Sequence, residues 1–129
     1  RLKQICGVGP LTASALYALV GDARQYRNGR ELAVALGLTP RQHSSGGKEK
    51  LLGISKRGDK YVRTLLIHGA RSALRTAPGR TDRISRWALA LAQRAHPNVA
   101  TAALANKLAR VAWAMLRHGT NYEPERVAV

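Results

Sequence analysis

The chain has no phenylalanine, one cysteine, one methionine and only seven acidic residues. Each shortage excludes something. A lone Cys6 cannot form an internal disulfide and has no companion thiol for a metal site, which fits an intracellular, reducing compartment. Cys6 reads as a small buried residue. The acids Asp22, Glu31, Glu49, Asp59, Asp82, Glu123 and Glu125 are scattered, so a self-contained two-metal centre is not expected. No Cys/His cluster suggests zinc. No apolar run approaches the roughly 20 residues of a membrane span, and no secretory signal is expected. Arg1 in place of an initiator methionine reads as the start of a piece of something longer.

What is abundant is positive charge. Twenty-two Lys and Arg give the 129-residue chain a net charge of +15 and a pI near 11.4. Self-repulsion on that scale opposes a compact state unless a polyanion answers it, and nucleic acid is the default partner. A membrane surface is the weaker alternative, because the cations are spread along the chain and not gathered on one amphipathic helix. The length suits one domain that buries roughly two-thirds of its unfolded surface. A 45% hydrophobic content rich in Ala and Leu predicts an all-α, compact helical domain.

The pattern predicts a short helix over residues 2–6, the hairpin Gly7-Val8-Gly9-Pro10, and a second helix over 11–20. The element spanning residues 1–21 resembles a helix-hairpin-helix. In such an element glycines let backbone N–H groups reach a DNA phosphate, so Gly7 and Gly9 are candidate contacts. Asn28 and Glu31 read as a capping box for a helix that stops at Gly37. Leu38-Thr39-Pro40 is expected to be extended. A central loop spans 41–58, pinned by Leu51, Leu52 and Ile54 as a short hairpin. Asp59 is expected to cap a helix over 60–75, with Val62, Leu65, Leu66, Gly69 and Ala73 on one side. Lys60, His68, Arg71 and Arg75 lie on the other. After the break Ala77-Pro78-Gly79, a helix over 82–95 buries Ile84, Trp87, Ala88 and Leu91. Asn98 is expected to cap a last helix running to His118 through Leu104, Leu108, Val111 and Met115, closed by Gly119. The helical domain is thus 1–119, with a frayed tail over 120–129.

Between residues 41 and 75 stand nine cations (Arg41, Lys48, Lys50, Lys56, Arg57, Lys60, Arg63, Arg71 and Arg75) and two acids. A solvated face normally mixes signs, so this one reads as a nucleic-acid track. Its centre is Ser44-Ser45-Gly46-Gly47-Lys48, continued by Ile54-Ser55-Lys56-Arg57-Gly58. A Ser-Gly-Gly turn lets backbone N–H groups converge on a phosphate, and Lys48, Lys56 and Arg57 can neutralise it. A serine hydroxyl is a weak nucleophile until a base or nearby cations activate it. Lys48, Arg57 and His43 are close in sequence. The residues alone equally fit a surface loop that only touches phosphates. His68-Gly69-Ala70-Arg71 has the His-x-x-Arg spacing of tyrosine recombinases, but the available nucleophile would be Tyr122 in the tail, which makes that reading remote.

Five motifs carry a family resemblance: Gly7-Val8-Gly9-Pro10, Gly37-Leu38-Thr39-Pro40, the Ser44 to Lys48 run, the Ile54 to Gly58 run and Arg63-Thr64-Leu65-Leu66. In this order and spacing the chain resembles the C-terminal domain of the IS110/IS116/IS902 insertion-sequence transposases, nearly to its end. Cys6 stands where a proline often precedes the hairpin glycines. The resemblance implies DNA transposition through a covalent phosphoserine–DNA intermediate. It implies Ser45 as nucleophile, with Ser44 as the alternative. Nucleic-acid contacts then fall on Gly7, Gly9, Arg41, Gly46, Gly47, Lys48, Lys56, Arg57, Lys60, Arg63 and Arg71. It also implies an N-terminal RuvC-like DEDD domain, absent from this sequence, that holds Mg²⁺. This domain itself would need no cofactor and would be inactive alone. Element ends and target DNA are the expected partners, with a structured guide RNA in some members, a homo-oligomeric full-length protein, and a bacterial cytoplasmic, nucleoid-associated setting. The competing reading is a non-catalytic helix-hairpin-helix DNA-binding module of a repair or junction-processing protein.

Overall fold

The structure is a computed structural model that describes residues 2–21, 23–38 and 57–122, with side chains from residue 60 onward in the last stretch. Among the described residues there are five α-helices, three short 3-10 turns and no strand. The all-α expectation holds. The helices are α1 (Pro10–Val20), α2 (Gly29–Ala35), α3 (Arg57–Thr76), α4 (Arg83–Ala92) and α5 (Pro97–His118).

α5 is the axis of the fold. It packs against α3 and α2, and more lightly against α4 and α1. Its buried seam of Ala100, Leu104, Ala105, Leu108, Ala109, Val111, Ala112 and Met115 explains why so many partners fit around one helix. Alanines let neighbouring backbones come close, while Leu104 and Leu108 fill the space between. Gly29, the first residue of α2, crosses α5 closely: a Cβ built there would stand 3.0 Å from Arg110 Cα. Ile5, Leu16, Val20, Leu32, Leu36 and Leu66 complete the fully buried set, each side chain contributing roughly 1.5–3 kcal/mol of burial.

The N-terminal element is shorter than the pattern suggests. Residues 2–6 are not a helix; Leu2–Gln4 is one 3-10 turn, followed by a bond from Val8 N–H to the Ile5 carbonyl at 3.0 Å. Gly7, at φ +96°, sits in that second turn and reverses the chain, so no helix continues from it. Pro10 opens α1, where its missing N–H costs nothing. Cys6 is half-buried.

The ends of α2 follow the sequence with one change. Asn28 Oδ1 accepts from Glu31 N–H at 2.9 Å, but Glu31 Oε1 accepts from Arg27 N–H at 2.7 Å and not from Asn28, so the box closes one residue early. Gly37 adopts φ +73°. Its N–H donates to the Val34 carbonyl and Leu38 N–H to the Ala33 carbonyl, both at 2.9 Å, completing a Schellman stop.

Three further boundaries differ. α3 begins at Arg57, so residues 57 and 58, expected in the central loop over 41–58, belong to the helix, and Asp59 lies inside its first turn instead of before it. A carboxylate in a first turn still complements the positive helix end, which is why one residue type signals either position. α4 stops at Ala92, and residues 93–95 unwind through turn bonds to the carbonyls of Leu89, Ala90 and Leu91. α5 is capped by His96, whose Nδ1 accepts from Asn98 N–H at 3.0 Å; Asn98 is the recipient of the cap and not its source. Pro97 takes the first helical position. At the other end Gly119, at φ +66°, closes α5 as expected. The tail is pinned further than expected, because Tyr122 N–H donates to Gln4 Oε1 at 3.0 Å.

Candidate nucleic-acid interface

α3 is strongly two-faced. Val62, Leu66, Ala70 and Ala73 are buried at i, i+4, i+4 and i+3 spacing. Lys60, Thr64, His68, Arg71 and Arg75 are exposed. At 100° per residue, Lys60, Arg71 and Arg75 fall within an arc of about 60°, and at 1.5 Å per residue they span about 22 Å. Thr64 sits among them and donates its hydroxyl to the Lys60 carbonyl at 3.0 Å. Leu65 and Gly69, expected on the packed side, are half-buried at its margin, and Ala70 is the buried residue the pattern missed.

Among the described side chains, no carboxylate belongs to this face. Glu31 pairs with Arg27 at 3.4 Å on α2, and Asp82 pairs with Arg80 at 3.1 Å while capping α4. Burial alone would raise the Asp82 pKa, but the hydroxyl and N–H of Ser85, with Arg80, outweigh it and hold the carboxyl below its ordinary value. Both acids are thus occupied in local structure.

Arg63 flanks the cationic face and reaches sideways. A Cβ built at Gly37 would stand 3.0 Å from Arg63 Nη1, so the half-buried guanidinium lies over the stop of α2. Cations suit a helix C-terminus, where carbonyls face outward. The contact brings together two motifs that are far apart in sequence. A second link stands beside it: Asn106 Nδ2, on α5, donates to the Leu38 carbonyl at 3.2 Å. Next along α5, Lys107 lies 4.7 Å over the Trp87 ring. Burial, reinforced by repulsion from Arg110, lowers the Lys107 pKa.

The two hairpin glycines have different surroundings. The Gly7 carbonyl packs directly on Gly69 of α3, where any Cβ would collide with it. Gly9 is exposed, and a Cβ there would meet nothing within 4 Å. Of the other expected contacts, Lys60, Arg63 and Arg71 share α3, and Arg57 is its first residue. Arg41, Ser44, Ser45, Gly46, Gly47, Lys48 and Lys56 lie outside the described residues, as does the expected hairpin at 51–54. The sequence reading missed Tyr61, which is half exposed beside Lys60. Helical register could have found it, since Tyr61 and His68 are seven residues apart on one edge of the cationic face. Among the described residues, no three of His, Cys, Asp or Glu converge as a metal site would need. No described helix is long and apolar enough to cross a membrane.

Comparison with known proteins gives a consistent picture. The model of the transposase IS116/IS110/IS902 family matches residues 1–86. A probable family 20 transposase of Pseudomonas aeruginosa is 56% identical over 124 residues, covering 96% of this chain and 37% of that protein. The transposase for insertion sequence element IS1111A of Coxiella burnetii is 53% identical, covering 95% of this chain and 34% of its own length. The transposase for insertion sequence element IS1328 of Yersinia enterocolitica is 45% identical over 93% of this chain and 36% of its own. The chain therefore spans about a third of the length of these curated relatives. No solved structure matches it.

Proposed function

The chain belongs to the transposase IS116/IS110/IS902 family, and from that premise we propose that it is the DNA-binding, serine-bearing domain of an insertion-sequence transposase. The observation that carries this reading is the single-signed face of α3. Lys60, Arg71 and Arg75 lie exposed along one helix with no described acid among them, and that helix follows directly on the Ser/Gly/Lys segment.

In the proposed reaction the Ser45 Oγ attacks phosphorus. The Oγ–P bond forms, the bond from phosphorus to the departing sugar oxygen breaks, and that oxygen takes up a proton. The hydroxyl proton passes to a base or to water. Arg and Lys groups nearby stabilise the charge that develops on the phosphoryl oxygens. Mg²⁺, on the family pattern, belongs to a DEDD domain outside this sequence. The described residues offer no donor cluster for it, and no step here passes through it. Homo-oligomers and a structured guide RNA belong to the same proposal for the full-length protein, as does a place on the bacterial nucleoid.

The test is adduct formation by the full-length protein on element-end DNA, read by denaturing electrophoresis. Ser45→Ala is expected to abolish the covalent protein–DNA band while leaving DNA affinity nearly unchanged. A band that persists with both Ser44 and Ser45 replaced by Ala refutes the proposal.

A further inference from the structure

We propose that the Tyr61–His68 edge of α3 holds unpaired DNA bases by stacking, so that this face takes unpaired DNA in preference to intact duplex. This rests on the DNA-binding function proposed above and names the form of DNA that the α3 face receives. Both rings are exposed, and Tyr61 keeps 50% of its surface open. A tyrosine ring is a large apolar area that a fold ordinarily covers. Among the described residues neither side chain has a hydrogen-bond partner, and neither ring packs on another ring. Other rings are occupied. Trp113 donates to the Ala23 carbonyl and meets His118 edge-on, Trp87 lies under Lys107, and Tyr26 and Tyr122 pack against the core. Tyr17 is exposed too, but it stands on α1, a helix without a cation, at a cavity lined by Leu2, Met115 and Leu116.

Helical register gives the edge its shape. Tyr61 and His68 are seven residues apart, about 20° short of two full turns and about 10.5 Å along the axis. That is close to three times the ~3.4 Å rise between neighbouring bases of one strand. Between the rings stand Thr64 and Leu65, which are i+3 or i+4 neighbours of both. Leu65 is half-buried, and the Thr64 hydroxyl is turned back onto the Lys60 carbonyl at 3.0 Å. The rings therefore flank a floor that carries no charge. Lys60, Arg71 and Arg75 lie to one side of Tyr61, about 40–100° around the helix. A strand whose phosphates run over these cations has its bases on the side where the rings stand.

Phosphate contact alone uses the cations and leaves both rings without a part. Bases inside a duplex have their faces covered by their neighbours, whereas unpaired bases have faces free. Stacking on an aromatic ring needs no particular sequence, because every base has a π-face. Cations that follow the backbone, beside rings that take the bases, are the means by which single strands are held. Tyrosine and histidine both serve as such platforms.

The experiment measures binding of the full-length transposase to three labelled DNAs by fluorescence anisotropy. One is an intact duplex, one carries a central run of unpaired thymines, and one has the same run made abasic, which keeps the phosphates and removes the bases. The unpaired DNA is expected to bind about 5–100-fold more tightly than the duplex, the scale of stacking on an aromatic ring, and the abasic DNA to lose that gain. Tyr61→Ala is expected to erase most of the preference while duplex affinity stays within about twofold, since phosphate contacts are untouched. Tyr61→Phe keeps the ring and should keep the preference, His68→Ala should reduce it, and Tyr17→Ala, the control, should leave it unchanged. Equal affinity for duplex and unpaired DNA overturns the stacking role and leaves the α3 cations as a duplex-binding face. So does a gain that survives abasic sites, or a loss as large in Tyr61→Phe as in Tyr61→Ala. An RNA with the same unpaired run that binds more tightly than the DNA overturns the assignment to DNA. Affinity for every probe that survives replacement of Lys60, Arg71 and Arg75 by Ala overturns the face itself, and the stacking edge with it.

Discussion

Replacing Lys60, Arg71 and Arg75 together by Ala should weaken DNA binding by an amount that can be worked out beforehand. Each cation that neutralises one phosphate of duplex DNA contributes about 0.9 to the slope of log K against log salt. Three such contacts contribute about 2.7, so near 0.15 M salt their loss costs roughly two orders of magnitude in affinity. The three residues are exposed, and α3 buries its opposite face in the core. Alanine is also the best helix former, so stability should move by less than about 0.5 kcal/mol. The control is Lys3, Arg27 and Arg80 to Ala, which removes the same formal charge from other elements. Fluorescence anisotropy with a labelled duplex across a salt series reads both slopes. The face triple should lower the slope by about 2–3, and the control by less than about 1. Equal losses would mean that DNA senses net charge only, and the argument from the α3 face would fail.

Other consequences concern the scaffold that presents this face. Gly69→Ala should be destabilising despite the helix propensity it gains, because its Cβ meets the Gly7 carbonyl, a backbone atom that cannot rotate away. Overpacking against a backbone atom falls in the upper part, about 2–3 kcal/mol, of the usual range and propensity returns about 1, so chemical denaturation should show a net loss of about 1–2 kcal/mol. A fully retained midpoint would mean that the hairpin yields freely. Asp82 titrates below its ordinary value in the folded chain. Its contribution is therefore present above the unfolded carboxylate pKa of about 3.9 and is lost as pH falls through the lower folded value. Asp82→Asn should flatten the stability profile below about pH 4. A stability profile as steep as the parent's would exclude Asp82 as a source of the acid sensitivity.

Much of this fold is written locally. Asn28 and Gly37 mark both ends of α2, because a side-chain acceptor and a left-handed glycine act within a few residues of where they stand. The α5 seam at Leu104, Leu108, Val111 and Met115 is legible because burial on one helix repeats with the helical period. The cationic side of α3 was readable for the same reason: Lys60, His68, Arg71 and Arg75 keep to one face whatever packs behind them. Caps were harder. Asp59 and Asn98 are good capping types, but α3 starts two residues earlier and His96 caps α5 through a ring nitrogen, a less common acceptor. The contacts with no local signature stayed out of reach. Gly69 meets Gly7 across 62 residues, and Asn106 meets Leu38 across 68. Nothing in the neighbouring sequence of either glycine names its partner. The serines themselves remain a reading of sequence and family, since they lie outside the described residues.

The nucleophile can be identified chemically. Adducts formed on element-end DNA would be treated with nuclease and trypsin, and the peptide that retains a nucleotide would be sequenced by mass spectrometry. Cleavage after Arg41 and Lys48 releases Gln42-His43-Ser44-Ser45-Gly46-Gly47-Lys48 as one peptide. The phosphonucleotide should sit there, on Ser45. Its appearance on the peptide that contains Tyr122, or on any peptide without these serines, would contradict the account.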